Sequence, residues 1–421
     1  MNLLFIESNT TGSGMLAFGK AAELGFTPVL ATGDPARYAG LDETDVKVVV
    51  CDTNTPAELA RELDAAVGDI AGVTTTSEFY VEAVAQTAAS LGLPGNTPEA
   101  VARCRNKGRM RAALAAAALP SPAFAVIERG QDLDGEVLRA LARIALPCVV
   151  KPVDDTGSSS VALCSTPAEV VAHCRTILAA TTNVRGQPSA GASLIEGYLE
   201  GPEFSVEVIS SPAGHRRVGI TAKRVTHPPA FVERGHIFPA PVPAESAAVL
   251  TEATYCALDA VGVTHGVTHT EIKLIDSAGY VIEVNARPAG GMIPEVIAQS
   301  CGFELLGAHL GAACGLGLPE PPGAFNPAGI AFLLASPETL PAHEARLAAV
   351  CGLERARSVP GVTSVVVTAA PGSVVRPARS SYDRLGYVIA TSSSYDKLDR
   401  ALATALGSLR PVFATGPIGA K

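Results

Sequence analysis

Residues 270–291 read TEIKLIDSAGYVIEVNARPAGG, and this stretch decides the fold. Apolar and polar residues alternate in two runs that flank a turn rich in Asp, Ser and Gly, a pattern that predicts a β-hairpin. Successive side chains of a strand point to opposite faces, so the apolar residues of both runs can face one core. The other face then collects the polar residues Glu271, Lys273, Glu283, Asn285 and Arg287.

The register of the hairpin follows from this shared polar face. Residues that oppose each other across two strands share a face, so the loop between them must hold an odd number of residues. We predict a three-residue loop, 277–279, whose glycine supplies the positive φ of a bulge. In this register Glu271 lies opposite Asn285, and Lys273 lies opposite Glu283.

The polar face has the chemistry of a metal and phosphate site. The two carboxylates and the amide of Glu271, Glu283 and Asn285 form the oxygen set that Mg²⁺ prefers, with phosphates and water completing its shell. Arg287 follows on the same face, where a guanidinium can hold a phosphate or carboxylate through two hydrogen bonds. Gly290-Gly291 leads into a predicted helix whose free N–H groups can meet an anion. A surface hairpin with ordinary exposed charges is the alternative, but the combined pattern favours a metal–nucleotide site.

This set of residues resembles the metal and phosphate end of an ATP-grasp ligase. The resemblance implies a nucleotide held between two small α+β subdomains and a substrate carboxylate activated as an acyl phosphate. It implies these roles: Glu271, Glu283 and Asn285 as metal ligands, Arg287 as a catalytic residue, and Gly290 and Gly291 as substrate contacts.

The composition excludes several classes of protein. The chain has 421 residues, room for about three domain-sized units, and a hydrophobic content of 48% that supports sizeable cores. A formal charge of -9 without clustered basic residues argues against nucleic acid and membrane surfaces as partners. No apolar run approaches the roughly 20 residues that span a bilayer, and the start lacks the basic region of a signal peptide. Nine scattered cysteines without a Cys-x-x-Cys pair predict reduced thiols in a cytoplasmic protein.

The predicted elements indicate an α/β (α+β) protein in three units. Strands at 2–6, 28–32, 46–51 and 72–74, with a helix at 14–24, predict a Rossmann-like opening. Near the other end, strands at 329–334, 362–368 and 386–391 and a helix at 394–409 follow a Gly/Pro-rich linker at 311–327, and no chemistry is evident there. Together with the resemblance, the pattern predicts a Rossmann-like domain at 1–98, an ATP-grasp domain at 99–318 with a small subdomain at about 120–200, and an α+β subdomain at 319–421.

The N-terminal turn also matches two other nucleotide motifs. Residues 12–17, Gly-Ser-Gly-Met-Leu-Ala, fit a dinucleotide fingerprint, and Asp34 stands where a ribose-binding acid would be. Residues 14–21 approach a P-loop, but Ala21 replaces the Ser or Thr that would hold Mg²⁺, and the stretch reads as helix. Small residues also let a first helix pack closely on its sheet. An oxidoreductase that uses NAD(P) or FAD therefore stays open as an alternative.

Two lysines precede or begin the predicted nucleotide region. A helix is predicted from Glu99 to near Leu119, and its Asn106-Lys107 pair resembles an Asp/Asn-Lys pair of the family, which implies that Lys107 binds ATP. Lys151 ends a predicted strand and is followed by a Gly/Ser loop that offers N–H and hydroxyl donors to phosphate. With the metal hairpin, this loop resembles the mobile loop that covers the triphosphate in the family, through Gly157, Ser158, Ser159 and Ser160.

Residues 193–209, SLIEGYLEGPEFSVEVI, read as two strands joined by an extended linker. Adenine needs donors and acceptors in a line, which an extended backbone provides, and ribose hydroxyls suit a carboxylate acceptor. Glu200 and Glu207 are predicted to be exposed to solvent. The resemblance implies the side chain of Glu196 and the backbones of Gly197 and Leu199 at adenine, and Glu203 at ribose.

A proline- and histidine-rich stretch at 221–243 is predicted to be a loop. Lys223 falls where relatives keep a lysine for the γ-phosphate, and His227, Glu233 and His236 are candidates for the substrate pocket. His269 precedes the first metal strand in a pattern that resembles the subgroup joining amino acids or small acids to amines. A zinc site built from these histidines lacks the usual ligand spacing.

The whole pattern predicts an ATP-dependent ligase most similar to L-amino acid (dipeptide) ligases. It would use ATP and Mg²⁺, with Mn²⁺ as a substitute, and join a small carboxylic acid or amino acid to an amine, releasing ADP and phosphate. Its partners would be these small molecules rather than nucleic acid or a membrane, and a homodimer is one assembly that the resemblance allows. A regulatory nucleotide-binding protein without turnover is a second alternative.

Overall fold

The computed structural model describes residues 1–226 and 231–414. Their strands form four sheets. Within these two ranges no helix combines the length and the apolar character needed to cross a lipid bilayer. The prediction of a mixed α/β fold is confirmed.

Seven elements form the N-terminal unit: β1 (Asn2–Ile6), α1 (Ser13–Glu23), β2 (Thr27–Thr32), β3 (Lys47–Val50), α2 (Pro56–Val67), β4 (Ile70–Thr74) and α3 (Val81–Ser90). The strands are parallel in the order β3-β2-β1-β4, which confirms the predicted opening. Phe5 and Phe18 pack together on one face, and Leu4 and Leu63 belong to a core on the other, so helices cover both faces. Gly14 and the residues up to Ala21 lie inside α1, as their helical pattern predicted.

Eight elements follow: α4 (Pro98–Arg105), α5 (Lys107–Ala116), β5 (Phe124–Glu128), α6 (Leu133–Leu141), β6 (Cys148–Pro152), β7 (Ala162–Cys164), α7 (Pro167–Ala179) and β8 (Ala192–Gly197). The strands form an antiparallel sheet in the order β5-β8-β6-β7. Val150 and Ile195 face the core beneath α6 and α7. Because side chains alternate, Lys151 and Glu196 face the other way, into a cavity.

The prediction of one helix from Glu99 to near Leu119 is wrong, because the helix breaks at Asn106. The backbone of Asn106 is extended, and its side-chain oxygen accepts the N–H of Arg109 at 3.0 Å, which starts α5 afresh. Lys107 is therefore the first residue of α5, with its side chain turned toward the cavity.

The third group begins with β9 (Glu203–Ser211), β10 (Gly214–Val225), β11 (Glu233–Phe238), α8 (Ala244–Val261), β12 (Gly266–Ile275), β13 (Ala278–Asn285), α9 (Ile293–Cys301) and α10 (Leu305–Ala313). It continues with β14 (Ala328–Leu334), β15 (Ala345–Cys351), α11 (Leu353–Arg357), β16 (Val362–Val367), β17 (Val374–Val375), β18 (Arg384–Thr391), α12 (Tyr395–Ser408) and β19 (Arg410–Phe413). One eight-stranded sheet, β13-β12-β9-β10-β11-β14-β18-β16, joins both parts, and β17-β15-β19 form a smaller sheet. On α8, Leu250 and Leu258 pack beneath Ile272 and Val281 of the hairpin, and each buried side chain of this size stabilises the fold by about 1.5–3 kcal/mol.

The predicted loop at 221–243 is wrong at both 221–225 and 233–238, which are strands. Residues to Val225 belong to β10 and residues from Glu233 belong to β11, and the two strands pair with Lys223 opposite His236. His227 lies outside the described residues. The prolines led to the prediction of a loop. The two strands form in spite of them because pairing with neighbouring strands, rather than local propensity, stabilises them.

The hairpin is confirmed, but its predicted register is wrong. The turn is the two-residue pair Asp276-Ser277, with φ of 48° and 64°, and not the loop at 277–279. The odd extra residue is Ile282, which bulges out of β13 between its paired neighbours. Glu271 therefore lies directly opposite Glu283. The same register places Asn285 opposite His269 and Lys273 opposite Tyr280. The predicted odd-numbered loop is therefore wrong, because the extra residue that lets Glu271 and Glu283 share a face sits in the strand instead of the turn.

Candidate active site

A cavity of 1020 Å³ lies between the N-terminal unit, the β5-β8-β6-β7 sheet, the hairpin and the C-terminal strands. Most of the predicted site residues line it. They are Lys107, Lys151, Gly157, Ser158, Ser159, Glu196, Gly197, Leu199, Glu203, Lys223, Glu233, His269, Glu271, Glu283, Asn285, Arg287, Gly290 and Gly291. Ser160 and His236 are not part of the lining: Ser160 is exposed elsewhere and His236 is buried behind the wall.

Each of the two hairpin carboxylates forms an ion pair with a basic side chain. An oxygen of Glu271 lies 2.7 Å from Nζ of Lys223 and 3.3 Å from Nε2 of His269. An oxygen of Glu283 lies 3.2 Å from Nζ of Lys107. Burial would raise the pKa of Glu271, but the neighbouring Lys223 and His269 hold it well below its usual range. Glu271 is thus held in the charged form that a metal ligand needs.

Lys223 is the centre of an acidic cluster. Its Nζ lies 2.8 Å from Glu233, 2.7 Å from Glu271 and 3.2 Å from Glu203. Burial would lower the pKa of Lys223, but the three carboxylates outweigh it and raise the pKa well above its ordinary value. One buried ammonium therefore links the predicted ribose, substrate and metal residues.

His269 is held by a buried acid that the sequence did not reveal. Its Nδ1 lies 3.0 Å from an oxygen of Glu207, which is fully buried, so the prediction that Glu207 is exposed is wrong. Ser205 donates to the same carboxylate at 2.7 Å. Burial would lower the pKa of His269, but the charge of Glu207 outweighs it and raises the pKa to about 9. Glu200 is exposed, as predicted.

Lys151 and Glu196 form a buried ion pair, and Arg111 completes it. Arg111 is fully buried, contacts Glu196 at 2.9 Å and donates to the carbonyl of Val281 at 2.6 Å. Burial opposes the charge of Glu196, but Arg111 and Lys151 lower its pKa to about 2. Burial lowers the pKa of Lys151. Sequence reasoning missed Arg111 because the motif in this helix singled out only Asn106 and Lys107.

The Gly/Ser loop has left-handed backbone at three of its residues. The φ angles of Gly157, Ser158 and Ser160 are 67°, 60° and 54°. Gly157 and Ser158 are the two central residues of a turn, which the N–H of Ser159 closes by donating to the carbonyl of Thr156 at 3.3 Å. The carbonyl of Gly157 accepts the N–H of Ser381, in the C-terminal unit, at 3.2 Å.

The linker after β8 offers only part of the predicted adenine contacts. The N–H of Gly197 already donates to the carbonyl of Ala123 at 2.9 Å, and the carbonyl of Leu199 accepts from Lys273 Nζ at 2.9 Å. Within residues 1–226 and 231–414, the N–H of Leu199 has no acceptor. That N–H is therefore free to face a base, whereas the N–H of Gly197 is occupied.

Arg287 connects the hairpin with the N-terminal unit. Its Nε lies 2.6 Å from a carboxylate oxygen of Glu78, and another of its nitrogens lies 3.3 Å from the side-chain oxygen of Asn285. Burial raises the pKa of Glu78, and the charge of Arg287 opposes that rise. Glu78 carries no motif, so sequence reasoning gave no signal for it.

The C-terminal strands add a cation to the cavity, although the sequence suggested no chemistry there. Arg384 pairs with Glu233, and its guanidinium lies 3.7 Å from the centre of the Phe332 ring. His236 meets the same ring edge-on, and burial lowers its pKa to about 3. His236 is therefore neutral, and it packs against Phe332 behind the cavity wall instead of lining the cavity.

The hairpin residues fit a magnesium ion. Two charged carboxylates, directly opposed on adjacent strands, and an amide oxygen two residues along make a hard-oxygen donor set. Across the described part of the chain, no three acidic, histidine or cysteine side chains converge as a complete protein-only metal site. A small number of protein ligands suits Mg²⁺, which is completed by nucleotide phosphates and water.

Comparisons with known proteins agree with this geometry. Residues 144–295 match the ATP-grasp domain family, and residues 339–414 match the L-amino acid ligase C-terminal domain 2. The protein y4rH of Sinorhizobium fredii is 30% identical over 416 residues, covering 97% of this chain and 82% of that protein. The alanine–anticapsin ligase of Bacillus subtilis is 26% identical over 58% of this chain, which spans 55% of that ligase. The crystal structure of L-amino acid ligase from Bacillus licheniformis superimposes with a TM-score of 0.81 at 21% identity, covering 99% of both chains.

The chain therefore belongs to the ATP-grasp carboxylate–amine ligase family. Within that family it carries the C-terminal domain of the L-amino acid ligases. The predicted ATP-grasp fold is confirmed. The comparisons lend no support to the alternatives of an oxidoreductase or a regulatory protein without turnover.

Proposed function

We propose that this protein joins a small carboxylic acid or amino acid to an amine, at the expense of ATP, through an acyl phosphate. The observation that carries the proposal is the direct opposition of Glu271 and Glu283 in a cavity where Lys107, Lys223 and Arg287 also converge. Such an arrangement neutralises a polyphosphate and leaves its outer end next to charged donors.

The inner phosphates would lie between two lysines and the loop. Lys107 is fixed by Glu283 and by the carbonyl of Asp155 at 2.7 Å, and Lys151 by Glu196. Gly157, Ser158 and Ser159 line the same cavity, and the N–H groups of Gly157 and Ser158 would donate to the phosphates. The N–H of Leu199, which has no acceptor among the described residues, supports adenine binding at the linker, and Glu203 would bind the ribose.

The outer phosphate would lie at the hairpin. Glu271, Glu283 and Asn285 would hold Mg²⁺, or Mn²⁺ in its place, which supplies positive charge against the phosphate oxygens. Lys223 and Arg287 would stabilise the negative charge on the transferring phosphoryl group. Glu233, His269, Gly290 and Gly291 would border the substrates.

The proposed reaction needs no nucleophilic side chain. A carboxylate oxygen of the substrate attacks the γ-phosphorus, the bond from that phosphorus to the β–γ bridging oxygen breaks, and ADP leaves. The amine then attacks the acyl carbon, inorganic phosphate leaves with the former carboxylate oxygen, and the amine loses a proton as the amide forms. The nine cysteines support this reading, because all are free thiols and the pKa of most is raised by burial, as in Cys104 and Cys148.

The test is a screen of amino acid and amine pairs for ADP and phosphate release with Mg-ATP. We expect ¹⁸O placed in the substrate carboxylate to appear in the released phosphate. Release of AMP and pyrophosphate instead would refute the acyl phosphate.

The proposal includes a cytoplasmic setting and the division into units at 1–98, 99–318 and 319–421. Unpaired thiols at all nine cysteines support the setting, since disulfides form in oxidising compartments. A homodimer is proposed as the assembly, which light scattering of the purified protein would test. Localisation of a tagged protein outside the cytoplasm would contradict the setting.

A further inference from the structure

A short turn of the C-terminal unit, residues 380–383, touches the Gly/Ser loop. The N–H of Ser381 donates to the carbonyl of Gly157 at 3.2 Å, and its Oγ lies 3.4 Å from the same oxygen. A Cβ on Gly157 would come within 2.7 Å of this Oγ and 3.2 Å of the Tyr382 ring. The two segments are therefore in direct contact, although 224 residues separate them in the chain.

Hydrogen bonds among residues 379–383 hold the turn together without any contribution from the loop. The Asp383 carboxylate accepts from the N–H of Arg379 at 2.9 Å and of Ser380 at 2.8 Å, and Oγ of Ser380 donates to it at 2.9 Å. Oγ of Ser380 in turn accepts the N–H of Tyr382 at 3.3 Å, which completes a capping box. A preformed turn can hold its partner in one orientation.

The consequence for the loop follows from the geometry of a trans peptide. In such a unit the carbonyl and the next N–H point in opposite directions. With the carbonyl of Gly157 drawn toward Ser381, the N–H of Ser158 points away from that hydrogen bond, and Ser158 itself lines the cavity. Over the described ranges, that N–H has no acceptor. Ser158 also carries a φ of 60°, which a residue with a Cβ adopts only when its surroundings support it.

We propose that Ser381 is a positioning residue: it orients the Gly157–Ser158 peptide so that the N–H of Ser158 donates to a phosphate of the bound nucleotide. The inference rests on the proposed ATP site and adds that the C-terminal unit takes part in nucleotide binding. Ser381 also lines the cavity, but among the described residues both of its hydrogen bonds go to the carbonyl of Gly157.

The sharpest variant is Ser381→Pro. Ser381 is the first residue of its 3-10 turn, and Ser380 before it is extended, with φ of -149° and ψ of 171°. Proline is favoured at the first position of such a turn, and an extended residue suits the position before a proline. The turn should therefore persist, while the N–H and the Oγ that donate to the carbonyl of Gly157 are both lost. Isothermal calorimetry compares the binding of ATP with that of adenosine, which lacks phosphates. We expect ATP to bind about tenfold or more weakly, the range for one lost hydrogen bond to a charged group, and adenosine to bind unchanged.

Further variants separate orientation from general damage. Ser381→Ala keeps the N–H donor and should weaken ATP binding less than Ser381→Pro. Gly157→Ala pushes the loop off the turn from the other side, and adding Ser381→Gly should restore part of the ATP affinity by removing the clashing Oγ. Ser358→Ala is the matched control, since its Oγ also donates to a backbone carbonyl, at 2.9 Å, within the C-terminal unit.

The outcomes are distinct. Unchanged ATP binding in folded Ser381→Pro, or equal losses for ATP and adenosine, would overturn the inference. If Ser381→Pro does not fold, Gly157→Ala alone decides, and unchanged ATP binding there would overturn it as well. Wild-type protein that binds ATP but releases no phosphate with any substrate pair would refute the proposed ligase and leave the inference intact.

Discussion

Glu283→Gln perturbs the proposed metal site with little change in shape. Glutamine keeps the volume of the side chain and an oxygen that can accept from Lys107 Nζ, now 3.2 Å from the carboxylate. The charge that is lost belongs to one of only two carboxylates on the polar face of the hairpin, the other being Glu271 directly opposite. We expect the variant to fold and to bind magnesium weakly.

The size of the effect follows from the loss of one anionic ligand. A contact to a charged group contributes about 1.5–3 kcal/mol, and because about 1.4 kcal/mol is a factor of ten, apparent magnesium affinity should fall about 10- to 150-fold. Phosphate release should be nearly abolished at ordinary Mg²⁺ and should recover partly as the Mg²⁺ concentration rises.

The assay is phosphate release titrated with Mg²⁺ at saturating ATP, with thermal melting as a check on the fold. Glu200→Gln is the matched control, because Glu200 is exposed and should behave like the wild type. Phosphate release by Glu283→Gln that matches the wild type at low Mg²⁺ would refute the metal assignment.

The remaining predictions concern the buried ion pairs of Glu196 with Lys151 and Arg111. Lys151→Ala should weaken ATP binding about 10- to 150-fold in calorimetry, because a hydrogen bond to a charged group contributes about 1.5–3 kcal/mol. Lys47→Ala is the control at an exposed site, and an equal loss of ATP affinity in the two variants would contradict the prediction. Arg111→Met should lower the free energy of unfolding, measured by urea denaturation, by about 3–5 kcal/mol, because it removes one partner of a buried ion pair. Arg109 is exposed, so Arg109→Met should change this free energy little. Equal losses in the two variants would refute the role given to Arg111. Glu196 has its pKa lowered from 4.5 to about 2 in the folded state, so its stabilisation is present above pH 4.5 and is lost as pH falls toward 2. The difference in unfolding free energy between wild type and Glu196→Gln should shrink over that range, and a constant difference would argue against the pairing.

Local pattern was enough to predict the elements that carry the chemistry. The hairpin, its polar face, the strand that ends at Lys151 and the loop after it all follow from alternation and turn residues, which act over a few neighbours. The same local reasoning failed where packing overrides propensity, as in the strands that carry Lys223 and His236.

The sequence by itself determined that Glu283 shares a face with Asn285, because side chains two residues apart on a strand point the same way. Only the tertiary structure decided that Glu271 meets Glu283, since a bulge at Ile282 depends on how β13 packs and no residue type announces it. Tertiary structure also decided the partners that lie far apart in the chain: Glu78 on Arg287 and Arg111 on Glu196. Such pairs form because burying a charge is costly without a counter-charge, and the fold, not the local sequence, determines which charges are buried together.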